Sequence, residues 1–205
     1  MSPFPTSVTT GRLRLERLDA DAVSLHDLYE VCAHDDGIDA VTEHVTWDPH
    51  AHPKETQEFV ERAVEGWEAG EDATYVVRPR KGEDGAGEFA GTAGLHPDWD
   101  RQRAELGTWL RRRFWGREYA AERAHALMTV AFDHLDLDVV VARCFVENER
   151  SRRAIEKYVE AAGGRHEGRL RNDAVDGSGP RDVHRYSVAR EDWRGSAAAD
   201  KAVDY

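Results

Sequence analysis

The chain has 205 residues and a formal net charge of -12, with 40 Asp and Glu against 28 Lys and Arg. That length suits one domain with a core of its own. The charge excludes a general nucleic-acid binder, whose footprint is basic, and works against attachment to anionic lipid.

Only Lys54, Lys81, Lys157 and Lys201 are lysines. An acidic surface in which arginine supplies most of the positive charge is expected of a protein kept dispersed at high salt, a halophile-like composition. Cys32 and Cys144 stand far apart with no CxxC pair, so they read as buried thiols and no metal site is expected. The opening MSPFPTSVTTG has no signal-peptide pattern, and no apolar run reaches the roughly 18 residues of a membrane span. The expectation is a cytoplasmic protein without membrane or nucleic-acid partners.

In chain order, Thr10 to Leu18 alternates Leu13 and Leu15 with Arg12, Arg14 and Glu16, a first strand. Asp19 or Asp21 then caps a helix carrying Val23, Leu25, Leu28, Tyr29 and Cys32, which Gly37 stops. An irregular segment with His34, His44, His50, His52 and Trp47 follows. Lys54 to Gly70 has Phe59, Val60, Ala63, Val64 and Trp67 at helical spacing, entered past Pro53 and ended by glycine. Ala73 to Arg78 and Glu88 to Leu95 read as hairpin strands.

The chain is organised around Ala104 to Met128. Arg103 to Leu110 has the two-residue period of a half-buried strand. After Arg111, Arg112 and Arg113 the period changes, and Ala120, Ala124, Leu127, Met128 and Ala131 share one face of a helix from Gly116 to Leu135. A helix start carries unpaired N–H groups and the positive end of a dipole, so with arginines beside it this junction suits a phosphate-bearing ligand. Leu137 to Val146 is apolar enough for a central strand. Asn148 caps a helix facing Ala154, Ile155, Tyr158, Val159 and Ala162 inward, with Gly163-Gly164 at its end. Gly164 to Arg171 and Val183 to Ala189 close the sheet around the polar loop NDAVDGSGPRD, and 195–205 is expected to be a flexible tail behind one domain over 1–194.

The stretches AELGTWL, FWGREYAAE, EN-x-x-S-x-x-A-I-EK, EGRLR and D-x-x-x-YS followed by EDW, in this order and spacing, resemble the GCN5-related N-acetyltransferases (GNAT). More narrowly they resemble the branch, RimJ/RimL-like, that acetylates the amino termini of ribosomal proteins. The resemblance covers Thr10 to Trp193. It implies an α/β (α+β) acyl-CoA N-acyltransferase fold, a mixed, mostly antiparallel seven-stranded sheet flanked by about four helices. It also implies acetyl-CoA as co-substrate, in an opening between Arg103 to Leu110 and Val139 to Val146. The binding residues it implies are Trp109, Leu110, Arg111, Arg112, Trp115, Gly116, Arg117, Glu118, Tyr119, Ala120, Asn148 and Ser151.

Two departures from the family pattern stand out. Glu118 occupies a position where the phosphate turn usually has glycine, and Tyr158 to Ala161 add about one helical turn after Glu156-Lys157. Acetyl transfer needs a neutral amine, stabilisation of an oxyanion and a proton for the leaving thiolate. Glu105, on the strand lining the opening, is the candidate base, or else an exposed residue paired with an arginine. Ser151, at the position of the family's serine, is the candidate acid, or else first-turn polarity beside the cap. Tyr158 and Tyr186 are further proton donors or core aromatics, and no cysteine sits where a nucleophile would, so direct attack is expected. The acceptor is a basic peptide or protein N-terminus, or alternatively a polyamine or aminoglycoside; a non-catalytic acyl-CoA-binding module is the rival. A homodimer is compatible with the sequence.

Overall fold

The computed structural model describes residues 2–199 and 203–205. Its strands are β1 (Ser7–Thr9), β2 (Leu13–Arg17), β3 (Ala73–Pro79), β4 (Gly91–Asp98), β5 (Arg103–Leu110), β6 (Val139–Phe145), β7 (Arg165–Asp176) and β8 (Gly179–Ala189). They form one sheet in the order β1-β2-β3-β4-β5-β6-β8-β7. Every neighbouring pair is antiparallel except β5 and β6, which are parallel. The sheet has eight strands rather than the expected seven, because Ser7–Thr9 is too short to show a period yet pairs fully with β2.

The helices are α1 (Leu25–His34), α2 (Ile38–Thr42), α3 (Pro53–Ala69), α4 (Tyr119–Thr129), α5 (Glu149–Ala161) and α6 (Arg190–Arg194). That is six among the described residues rather than about four: α2 lies in the segment read as irregular, and α6 covers one turn after β8. Ser24, not Asp19 or Asp21, caps α1, accepting from the Asp27 amide at 3.1 Å, while Asp19 accepts from the Asp21 and Ala22 amides in the preceding turn. Asn148 caps α5 as expected, and Gly70 ends α3 in the left-handed conformation at φ 73°. The central helix starts at Tyr119, later than expected, and continues into a π-helical turn at Val130–His134.

Two cores flank the sheet. The larger packs Leu106, Leu110, Val140 and Ala142 against Ala124, Leu127 and Met128 of α4 and Ile155, Tyr158 and Val159 of α5. The smaller packs Val76 and Phe89 against Leu28 and Cys32 of α1 and Ala63 of α3, with Trp47 and Trp109 beside them. A buried Leu or Met of this kind stabilises by roughly 1.5–3 kcal/mol, which fixes α4 beneath the centre of the sheet. The hairpin β7–β8 runs through much of the segment read as a polar loop, leaving only a tight turn at Gly177 and Ser178. Ion pairs replace apolar alternation there, with Arg169 on Asp182 at 2.6 Å and Arg181 on Asp176 at 2.6 Å. In the tail expected to be flexible, Ala198 is buried and Asp204 exchanges backbone hydrogen bonds with Thr9, extending the β1 edge. The rest of that expectation, at 200–202, lies outside the described residues.

Candidate active site

The parallel pair β5 and β6 shares four register pairs, Arg103–Val139 to Leu106–Ala142, and then separates. From Gly107 to Leu110 strand β5 is paired only with β4, and from Arg143 to Phe145 strand β6 is paired only with β8. The ladder stops at Gly107, whose carbonyl accepts a hydrogen bond from Arg123 of α4 at 3.2 Å. Main-chain groups along an unzipped edge require partners, and a peptide-like arm laid in the gap can supply them as an added strand would. Part of that edge is committed. The Leu110 carbonyl accepts from the Trp115 indole at 2.8 Å, while the Arg111 amide is turned to the other side of the strand, donating to the Ala90 carbonyl at 2.9 Å.

Beyond the gap lies the start of α4. Its first amides have no intrahelical acceptor, and the Glu118 side chain makes no capping bond to them. Gly116, at φ 78°, has open space where a Cβ would stand. Glu118 itself is left-handed at φ 63° and pairs with Lys157 of α5. This backbone explains why glycine suits the position, and the carboxylate is held by Lys157 rather than by the helix amides. An anion can therefore reach the helix start, so the turn fits a diphosphate.

The arginines expected to greet that anion are largely engaged elsewhere. Arg111 pairs with Asp35 at 2.5 Å, Arg113 with Glu88 at 2.6 Å and Arg117 with Asp84 at 2.7 Å. Arg112 is exposed and makes no ion pair among the described residues. Arg150, which sequence reasoning missed, stacks on Trp115 with its guanidinium carbon 3.9 Å from the ring centroid. It reaches from the first turn of α5 to the turn that leads from β5 into α4. Tyr119 is buried with its hydroxyl 2.7 Å from Glu83, which leaves its backbone to meet a ligand, and Trp109 packs edge-on against Trp47 at 5.3 Å. Ala120 is half-buried in the first turn.

Behind the gap are the proton-carrying groups. Asn148 accepts from the Ser151 amide at 3.0 Å. Burial raises the Cys144 thiol to about 11, against a lowering side-chain hydrogen bond with Ser151. Tyr158 is buried, which raises its pKa, and interacts with Arg123. Arg123 is 2% exposed with no carboxylate partner among the described residues, and burial lowers its pKa. Tyr186 donates to Glu156 at 3.1 Å, and burial with that bond pushes its phenol up. Asp182 accepts from Arg169 and the Asn172 amide, and His184 contacts His166 at 3.0 Å, so both belong to the hairpin's own network.

On the opposite face of the sheet from α4, a cavity of about 420 Å³ is lined by His96, Asp98, Arg103, Glu105, Arg143 and Asp173, with Val141 and Arg185. Glu105 is half-buried there and accepts from Arg143 at 2.8 Å, and Arg143 also holds Asp173 at 2.7 Å. The pairing with an arginine is one of the two expectations for Glu105. His96 adjoins it, its Nδ1 2.9 Å from Asp72.

A sheet that parts between two parallel strands, with a helix start at the wide end and a polar cavity behind, is the arrangement that the sequence resemblance implies for an acyltransferase. Residues 12–158 match the family model described as "Acetyltransferase (GNAT) domain", and the chain belongs to that family. Acetyl-CoA is the acyl donor of that family, and the gap between β5 and β6 is the opening in which the sequence resemblance sets it.

The Bacillus subtilis (strain 168) protein named "Putative ribosomal N-acetyltransferase YdaF" is 30% identical over 110 residues, 53% of this chain and 58% of that relative. The chain thus matches under two thirds of the relative's length. A solved structure described as a "putative acetyltransferase from T. thermophilus" is 30% identical with a TM-score of 0.71, covering 95% of both chains. Mycobacterium smegmatis RimJ in complex with CoA-disulfide is 16% identical with a TM-score of 0.79, covering 97% of this chain and 95% of that one, a likeness of fold alone. No helix among the described residues is long and apolar enough to cross a membrane.

Proposed function

We propose that residues 1–194 form an N-acetyltransferase unit that moves the acetyl group of acetyl-CoA onto a protein N-terminal α-amine by direct attack. The observation that carries this reading is the cavity beside Glu105, on the face of β5 away from α4. It lets an amine approach the thioester from the side opposite the carrier. Its lining alternates Asp98, Glu105 and Asp173 with Arg103, Arg143 and Arg185. The main chain of a peptide offers both donors and acceptors to such a lining, whereas a protonated polyamine offers donors alone. YdaF, named a ribosomal N-acetyltransferase, supports the same substrate class.

An α-amine with a reference pKa of about 7.7 to 8.0 is roughly one tenth neutral at pH 7, so only modest help is needed to deprotonate it. Glu105 draws the ammonium in and accepts its first proton, directly or through a water. Ser151, at the start of α5, returns a proton to the departing thiolate. Released thiol is the readout: peptides with free basic N-termini, spermidine and an aminoglycoside are offered in parallel with acetyl-CoA. Peptides are expected to react fastest, and a preference for either small amine would overturn the substrate assignment. Binding of acetyl-CoA with no turnover on any amine would favour the non-catalytic module.

A further inference from the structure

The register Ala73–Leu95 between β3 and β4 sets Asp72 beside His96, and β4–β5 pairing sets His96 opposite Glu105. Asp72 Oδ1 lies 2.9 Å from Nδ1. The rest of the imidazole lies flat along the sheet over Gly94 and Gly107, which face each other across β4 and β5. A Cβ on Gly94 would come within 2.4 Å of Nε2, and one on Gly107 within 2.9 Å. Glycine is unfavourable inside a strand unless something must approach closely, and here the ring is what approaches. Gly107 is also the first residue of β5 beyond the ladder with β6. A carrier held at the α4 start and along the open edge would bring its acyl end toward that point, where the β5–β6 ladder begins.

We infer that His96, oriented by Asp72, is the catalytic base that takes the proton from the attacking nitrogen as the C–N bond forms. Two protons leave an ammonium on its way to an amide. Glu105 receives the first on entry, and Nε2 of His96 receives the second from the tetrahedral adduct. The C–S bond then breaks and its electron pair goes to sulfur, which is protonated in turn. With its side chain 44% exposed to the cavity, His96 can return its proton to water. The charged groups facing it are Asp72, Glu105 and Arg143, with Asp98, Arg103, Asp173 and Arg185 around the cavity rim. Burial pushes the imidazole down, but the contact with Asp72 and the charge of Glu105 outweigh it and hold its pKa above the ordinary value, against Arg143.

The test uses the full chain and whichever amine of the panel above reacts best, so it does not depend on the peptide assignment. His96→Ala is expected to lose about 100-fold in kcat and to regain part of it with added free imidazole. Folding of the variant is verified by its unchanged acetyl-CoA affinity. Asp72→Asn removes the charge that favours the imidazolium. The acid limb of kcat/KM and the NMR titration of the His96 ring should then both move to lower pH together. An acid limb that follows the acceptor amine and ignores both substitutions would overturn the assignment, as would His96→Ala losing activity without imidazole rescue.

Discussion

Glu118→Gly should both stabilise the protein and tighten its hold on coenzyme A. A non-glycine residue at φ 63° carries a left-handed cost of roughly 1–2 kcal/mol. Glycine removes that cost but adds roughly 0.5–1 kcal/mol of unfolded-state entropy. The lost ion pair to Lys157 joins side chains that are 60% and 65% exposed, so solvent screening limits it to a few tenths of a kcal/mol. The net gain is about 0.5 kcal/mol, which at this chain length raises Tm by about 1–2 °C. For the ligand, repulsion between the Glu118 carboxylate and each of two phosphate charges at the helix start is on the order of 0.5 kcal/mol at the dielectric of water. Removing both repulsions amounts to a roughly fivefold lower Kd, and less as salt screens it. Titration calorimetry with coenzyme A at low and high KCl, beside calorimetric melting, reads both. An unchanged Kd at low salt would show that the Lys157 contact already cancels the carboxylate, and a lower Tm would refute the strain argument.

Gly91→Ala should be far more damaging. At φ 144° its Cβ would lie 2.2 Å from the Trp109 carbonyl oxygen, backbone that cannot move aside, and a loss of about 2–4 kcal/mol in urea unfolding is expected; a loss under 1 kcal/mol would mean that β4 and β5 shift freely. Gly107→Ala meets only the far end of the His96 side chain, so stability should fall by under about 1 kcal/mol while the NMR titration of His96 changes; an unaltered His96 signal would contradict the ring position. Ser151→Ala should lower kcat by about 10-fold to 100-fold with KM for acetyl-CoA nearly constant, and equal losses in affinity would assign Ser151 to binding instead. The net charge of -12 predicts a melting temperature that rises toward molar KCl as self-repulsion is screened; a flat or falling profile removes the high-salt reading.

What the sequence made legible was whatever a short window determines. Arg103–Leu110 is bounded as its alternation requires, and Asn148 caps α5 because capping is settled within three residues. The four residues after Lys157 continue α5, with Tyr158 and Val159 on its buried face, as one added turn should. The pairing of the arginines of the phosphate turn was not legible, for a reason of the opposite kind. Their partners Asp35, Glu88 and Asp84 come from the end of α1 and the β3–β4 connection. Such charges lie far away in sequence, and only the assembled sheet brings them near. Arg150 on Trp115 escaped notice for the same reason.

The same limit governs the candidate site, and it marks where function is written in such a chain. Glu105 could be nominated because it sits on the organising strand, but its partner Arg143 comes from β6 and its neighbour His96 from β4. Asp72 precedes β3, and it acquires its relation to His96 only through the β3–β4 register. A one-residue slip in that register would turn His96 to the other face of the sheet. Gly94 and Gly107 did carry a signal, since two glycines interrupt strands that are otherwise well filled. That signal says that something comes close to the backbone, and only the fold reveals the imidazole lying across both.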